Sequence, residues 1–359
     1  MPDTSYDIPP MPPPHMWDTV PILKALTEAK SLLAELKGTA YTLPNQQILI
    51  DTLFLQEALA SSEIENIVTT QDEVFRTNLV KEEISVEAKE VSRYREAMHK
   101  GYTAWQEKNH ISEIMLVSMF QVLKQRDDGY RTTHGTKLLN DKTREVIYTP
   151  PQDLKSIESY MGELVQFINT DDSSTLDPLI KMALIHHQFE SIHPFSDGNG
   201  RVGRMLNVLY LTHAGLLDAP ILYLSRAINA TKPDYYRLLQ EVREKEAWQE
   251  WVIYILQAVA ETARSTLHLV KGIRELMQDT KQRLRSDLPK IYSQDLLNSL
   301  FRHPYTRISY VEHDLDVSYI TARKYLKILT THNFIEEISI GRTNYYTNTP
   351  LLKLLAETA

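Results

Sequence analysis

The chain has no cysteine among its 359 residues. Disulfides, thiolate nucleophiles and cysteine-ligated zinc are therefore excluded. No apolar stretch is long enough to cross a bilayer, and the start, with Asp3, Asp7 and a run of prolines, lacks the charged-then-apolar order of a signal peptide. A cytoplasmic location without membrane attachment is the expectation. An excess of positive charge is also missing: 47 Asp and Glu stand against 39 Lys and Arg, a net charge of −8. That argues against a nucleic-acid footprint over the whole protein and leaves only a local basic patch open. With 42% hydrophobic and 24% charged residues the composition is that of an ordinary folded protein, and the length suggests two or three domains.

The densest polar chemistry lies in Ser191-Ile-His-Pro-Phe-Ser-Asp-Gly-Asn-Gly-Arg-Val-Gly-Arg204. Downstream, Val202, Met205, Leu206, Leu209 and Tyr210 recur at helical spacing; upstream, Ile180, Ala183, Leu184 and His187 do the same. The stretch therefore reads as a loop between two core helices. Its glycines open the second helix, where unpaired N–H groups and a partial positive charge suit phosphate. His193 carries a side chain whose ordinary pKa lies near neutrality, fit to take a proton from a hydroxyl. Asp197 offers hard oxygen of the kind that holds Mg²⁺ beside phosphates. Arg201 and Arg204 carry planar forks for phosphate, and Asn199 can position either the loop or the ligand. His186 and His187, with Glu190 and His193, resemble a metal cluster only superficially. Adjacent helical residues point to different faces, so core histidines are expected.

Elsewhere the reading is mostly helical. Residues Met1 to Pro14 are a proline-rich arm, either docked or frayed. A first helix is expected from Val20 to Leu36, ended by Gly38, and a second from Pro44 through Leu59 into Ser61-Ser-Glu-Ile-Glu-Asn66. Ser61 and Glu65 share a face, Asn66 stops the helix, and Thr70 with Glu73 begins the next. Ile84 to Lys108 and Ile111 to Leu123 read as amphipathic helices. Between Thr136 and Tyr148, a turn at Asn140-Asp141-Lys142 and the run Val146-Ile147-Tyr148 predict a hairpin. Ile221 to Arg226 reads as buried, a helix with Tyr235 and Tyr236 follows Pro233, and Trp248 to Met277 forms one long helix. Past the charged segment Lys271 to Asp287 come a helix ending near Phe301, then Ile308 to His313, a turn at Asp314 to Asp316, a helix from Ser318 to Leu329, and two β-prone runs around Gly341-Arg342. That order suggests a winged helix, with Arg323, Lys324 and Lys327 facing DNA phosphates or only solvent.

His193-Pro-Phe-Ser-Asp-Gly-Asn-Gly-Arg-Val-Gly-Arg204 matches, without a departure, the His-x-Phe-x-(Asp/Glu)-Gly-Asn-Gly-Arg-x-x-Arg signature, so the chain resembles the Fic family of nucleotidyltransferases. The resemblance implies transfer of AMP from ATP to a Ser, Thr or Tyr hydroxyl of a target protein or of the enzyme itself. His193 would be the base and Asp197 the Mg²⁺ ligand. Gly198, Asn199 and Gly200 would form the anion-binding turn, Arg201 and Arg204 would hold phosphates, and Val202 and Gly203 would belong to the same nucleotide-contacting run. Gly200 is neutral where the related Doc-type toxins carry lysine and transfer phosphate. Ser61-x-x-x-Glu65-Asn66 resembles the inhibitory helix of a Fic subclass, implying that Glu65 sits in the nucleotide site and pairs with Arg204. The hairpin corresponds to the flap that registers the target, and Tyr236 would close over the nucleotide.

The expected fold class is mainly all-α, a Fic helical bundle with a small β-hairpin flap plus a C-terminal winged helix-turn-helix domain. The expected domains are 1–110 with the inhibitory motif 61–66, 111–285 with flap 136–149 and signature 193–204, and 286–359 for the winged helix. A homodimer, a DNA-binding regulator with a nucleotide-sensing core, another nucleotide or phosphocholine donor, and removal of AMP by water stay open as alternatives.

Overall fold

The computed structural model describes residues 6–70, 73–74, 85–139, 143–171, 175–302, 304–340 and 343–357. Helix α1 (Val20–Ala40) buries Ile22, Leu26, Ala29, Leu33, Leu36 and Ala40 along one stripe. Gly38 does not end it. Nothing lies within 4 Å of where its side chain would begin, so an exposed glycine costs only about 1 kcal/mol of helix propensity, and buried Ala40 keeps the last turn docked. Helix α2 (Gln47–Ile64) starts after Pro44 rather than on it, where the Asn45 side chain accepts the Gln47 N–H at 2.9 Å. Asn66 stops α2 as expected: its φ is 62° and its N–H donates to Glu63 O at 2.9 Å. Thr70 Oγ1 then accepts the Glu73 N–H at 3.1 Å.

Helices α3 (Val86–Lys108) and α4 (Glu113–Lys124) are opened by Ser85 and Ser112, whose hydroxyls accept N–H groups of the first turn. Left-handed Asn109 and Gln125 close them. Strands β1 (Leu138–Leu139) and β2 (Val146–Tyr148) pair antiparallel, Leu138 opposite Tyr148 and Leu139 opposite Val146. The expected turn Asn140 to Lys142 lies outside the described residues.

Helix α5 (Leu154–Asn169) leads to the central pair, α6 (Pro178–Ile192) and α7 (Asn199–His213). Every residue from Leu179 to Ile192 and from Arg201 to Thr212 is buried, so both helices are enclosed on all sides rather than along one stripe. Gly203 lets them approach: a Cβ there would lie 2.5 Å from Glu190 Oε1 and 3.1 Å from the Phe189 ring. Gly203→Ala is therefore expected to lower stability by about 1–3 kcal/mol through overpacking. A fall in the thermal midpoint at unchanged helical circular dichroism would show it, and an unchanged midpoint would refute the tight crossing.

After α8 (Ser225–Ala230) and α9 (Lys232–Lys245), helix α10 (Trp248–Asp287) runs past Met277 through the charged segment without a break. It lies along α1, flanked by the ion pairs Glu28–Arg264 at 2.7 Å and Glu35–Lys271 at 2.9 Å. Being exposed, such pairs contribute at most about 1 kcal/mol each, and the apolar stripe does more. Trp251 Nε1 donates to Ala183 O at 2.8 Å and ties α10 to α6. From Tyr6 onward the proline-rich arm is docked: Tyr6 packs edge-on to Tyr148 and His187, Ile8 is buried, and Gln188 donates to Pro9 O at 3.2 Å.

The C-terminal unit runs α11 (Gln294–Arg302), β3 (Tyr305–Thr306), α12 (Ile308–Leu315), α13 (Tyr319–Thr331), β4 (Glu336–Ile340), β5 (Thr343–Thr347) and α14 (Thr349–Glu357), with sheet order β3-β5-β4. Helices followed by two antiparallel strands is the expected order. The turn between α12 and α13 narrows to left-handed Asp316, the helix running two residues further than expected because Asp314 and Leu315 stay helical. Arg323, Lys324 and Lys327 lie exposed on α13. The unit rests on α2 through Arg302–Asp51 at 3.0 Å and a bond from Gln56 Nε2 to Leu355 O at 3.0 Å. Among the described residues no helix is long and apolar enough to cross a membrane.

Candidate active site

His193 closes α6 as a left-handed cap, with φ of 50° and its N–H on Phe189 O at 3.0 Å. The chain then turns through a loop held from several sides. Arg131 Nε donates to His193 O at 2.8 Å, its guanidinium also reaches Pro151 O, and its own N–H donates to Pro194 O at 2.9 Å. Phe195 stacks on Phe120 at 4.3 Å. The Asn199 amide accepts from Phe195 N and donates to Phe195 O, both at 2.8 Å. Its side chain thus braces the loop. Gly198, with φ of 73°, opens α7 and presents the N–H groups of its first turn, where no preceding turn can accept them.

The His193 ring is half-buried, and its Nδ1 has no hydrogen-bond partner among the described residues. Burial, then the positive charges of Arg131 and Arg243, push it down to about 4. It is thus neutral near pH 7 and keeps a lone pair. His186 binds Tyr235 OH at 2.9 Å and His187 faces Leu239 O at 3.3 Å. Burial pushes His186 down to about 3 and His187 well below its ordinary value. These are core histidines, as expected, and the described residues contain no cluster of three potential metal ligands. Glu190, also buried, is pushed up to about 7 by desolvation.

A chain of ion pairs runs beneath the loop. Arg201 bonds Glu90 at 2.8 Å, Glu90 accepts Lys124 at 3.1 Å, and Lys124 reaches Asp197 at 2.6 Å. Burial would raise the Asp197 carboxyl, but the hydrogen bond and charge of Lys124 outweigh it and hold it below the usual range. Asp197 is therefore ionised and 60% exposed, with one cation already beside it. A single exposed carboxylate fits Mg²⁺, which keeps several waters and takes its other ligands from substrate phosphates.

Arg204 is buried and clamped by the end of α2. Its Nε donates to Ser61 Oγ at 2.8 Å, and its Nη2 donates to Ser61 O at 2.9 Å and to Glu65 Oε1 at 2.8 Å. Burial alone would lower the guanidinium pKa, but Glu65 raises it above its ordinary value, so the charge is locked in. Gly200 makes room for this contact, since a Cβ there would lie 2.6 Å from Glu65 Oε1. Val202 is buried with its N–H on Gly198 O at 3.0 Å, and Gly203 faces α6, because each helical step turns a side chain about a quarter-circle away from its neighbours.

Lys232 bonds Asn66 Oδ1 at 3.3 Å, which brings the start of α9 to the end of α2. Tyr236, one turn further, is exposed, whereas Tyr235 is buried on His186. The hairpin is anchored beside the loop: Tyr148 OH donates to Ser191 O at 2.6 Å, and Arg243 covers the Tyr148 ring at 3.9 Å while bonding Ser191 Oγ at 3.2 Å. Gln240 holds Ile147 O at 3.2 Å. Arg131, Glu90 and Lys124 escaped the sequence reading, because each sits in a segment with ordinary surface patterning.

Residues 23–103 match the Fic/DOC family N-terminal domain, and residues 105–211, which include the whole loop, match the Fic/DOC family itself. The chain belongs to the Fic family. Residues 276–351 match the C-terminal domain of SoFic-like protein adenylyltransferases. The fold is shared with a Fic family protein from Desulfovibrio desulfuricans G20, with a TM-score of 0.58 at 20% identity over 93% of this chain and 98% of that one. Fic-1 (aa134–508) from C. elegans superposes with a TM-score of 0.52 at 18% identity, covering 69% and 72%. By sequence, the Fic chain is 27% identical over 188 residues to the probable protein adenylyltransferase aq_aa38 of Aquifex aeolicus (strain VF5), 51% of this chain and 55% of that protein. It is 31% identical over 65 residues to protein adenylyltransferase fic-1 of Caenorhabditis elegans, 18% of this chain and 13% of the nematode protein. The Fic chain thus spans about half of the bacterial relative's length and far less of the nematode one.

Proposed function

We propose that this Fic protein transfers AMP from ATP to a Ser, Thr or Tyr hydroxyl, on a target protein or on itself, and that Glu65 restrains it by holding Arg204. The observation that carries this reading is a neutral imidazole, His193, one loop away from a glycine-opened helix whose first two turns bear Arg201 and Arg204. The target oxygen attacks the α-phosphorus as His193 takes its proton; the O–P bond forms, the bond to the β-phosphate oxygen breaks, and diphosphate leaves. The first-turn N–H groups of α7 and the two guanidinium forks stabilise the charge on the phosphates. Asp197 would hold Mg²⁺, which when bound supplies further neutralisation of phosphate charge. Tyr236 flanks the nucleotide, and the β1–β2 hairpin offers backbone for pairing with an extended target.

In the resting arrangement the clamp opposes this. The Nε and Nη2 donors of Arg204 are both spent on Ser61 and Glu65, so a γ-phosphate finds the fork taken. Supplying Mg²⁺ with ATP labelled separately at the α or γ phosphorus tests the reading. Covalent label on protein is expected from the α position and none from γ; label from γ alone would make the protein a kinase and overturn the proposal.

A further inference from the structure

A cavity of about 450 Å³ lies behind α2, walled by α2, α8 and α10. Its size falls in the range of small-molecule sites. Leu53 and Ala60 of α2 and Leu269 of α10 supply apolar wall, while Thr262 and Thr266 bring hydroxyls from the same face of α10. Thr262 is 7% exposed, and its Oγ1 has no hydrogen-bond partner among the described residues. A buried hydroxyl left without a partner lacks the hydrogen bond that normally offsets desolvation.

The charge of the cavity is uneven. Glu57 in its wall and Glu63 at its rim are both carboxylates of α2, against one guanidinium, that of Arg226. Glu57 is 1% exposed. Its donors are Tyr94 OH at 3.0 Å, the Ser225 hydroxyl and Ser225 N–H at 3.3 Å. All three are neutral, and Arg204 acts on Glu57 without bonding it. Burial of a carboxylate among neutral donors favours arrival of a cation, and desolvation pushes this one up to about 7. We infer that the cavity is a binding site for a small organic ammonium with an apolar body, the ammonium on Glu57, a hydroxyl-compatible edge on Thr262, and the body against Leu53, Ala60 and Leu269. Because α2 carries Ser61 and Glu65 one and two turns beyond Glu57, the bound molecule rests against the back of the Arg204 clamp.

The test is calorimetric titration of the full chain at pH 8 with 2-phenylethylammonium, and with 2-phenylethanol and 3-phenylpropanoate as neutral and anionic bodies of similar shape. The ammonium is expected to bind at least about tenfold more tightly than the alcohol, with the carboxylate weakest. Glu57→Gln should bring the ammonium down to the level of the alcohol, and Ala60→Trp, which fills the cavity, should abolish binding of both. The thermal midpoint of each variant is read alongside, and Thr262→Val, nearly isosteric, provides a gentler probe that should weaken binding severalfold. No saturable binding of the ammonium at millimolar concentration, equal binding of the alcohol, or undiminished binding to folded Glu57→Gln would each overturn the assignment. The outcome does not depend on which reaction the loop carries out.

Discussion

Glu65→Gly will raise incorporation of label from α-labelled ATP by roughly tenfold to a hundredfold. The size follows from the contact removed. Arg204 is buried with a carboxylate 2.8 Å from its Nη2, and opening a buried charge pair costs about 3–5 kcal/mol. Glu65 is 33% exposed, so solvent screens part of that, and about 1.5–3 kcal/mol is the appropriate range. Under the proposed function, the wild-type protein must supply this free energy each time a γ-phosphate takes the fork, whereas the glycine variant need not. Ser61 remains in the variant, and its carbonyl and hydroxyl still steady the guanidinium. Initial rates at saturating ATP measure the effect directly. A rate equal to or below wild type would mean that the carboxylate is not the brake.

His193→Ala will reduce transfer by about a hundredfold to ten-thousandfold, the usual loss when a positioned base is removed, while the dissociation constant for ATP stays within roughly threefold. The separation is expected because the phosphate contacts come from α7 and the ring from the cap of α6. Retained transfer would refute the base assignment, and lost ATP binding would make the ring a structural member of the pocket. The pH profile gives a second check. Burial and the charges of Arg131 and Arg243 hold His193 down to about 4. Its neutral form therefore persists above that pH, and the acid limb of the rate due to this group should lie near 4 rather than near the ordinary imidazole value.

The loop was legible from sequence because its chemistry is contiguous: base, carboxylate, glycines and arginines follow one another, flanked by apolar spacing that places two helices. The contact of Ser61 and Glu65 with Arg204 was legible only through the family resemblance, since by position alone Glu65 reads as a solvated surface charge. Helix ends were less so. Gly38 and Pro44 are strong local signals, yet buried Ala40 and the bond from Gln47 N–H to the Asn45 side chain mark where the two ends fall. The sequence reading also missed the residues that hold the loop from outside. Arg131 reaches the His193 carbonyl from a connecting segment, and Glu90 and Lys124 come from amphipathic helices in which a Glu or Lys is unremarkable by position. Val202 and Gly203, next to the loop in the chain, are turned by their helix into the core and against α6.

The ion pairs around the loop also set how the site looks to an approaching anion. Arg201, Arg204 and Lys124 are matched by Glu90, Glu65 and Asp197, so the resting pocket carries no net charge from these groups. These six groups by themselves therefore give an arriving nucleotide no net attraction, leaving that to charges outside the set such as Arg131 and Arg243. Withdrawal of Glu65 alone leaves the set one unit positive. Release of the brake would then do more than free a fork: it would turn on attraction felt out to about 8–10 Å at moderate salt, making nucleotide capture faster and newly sensitive to ionic strength.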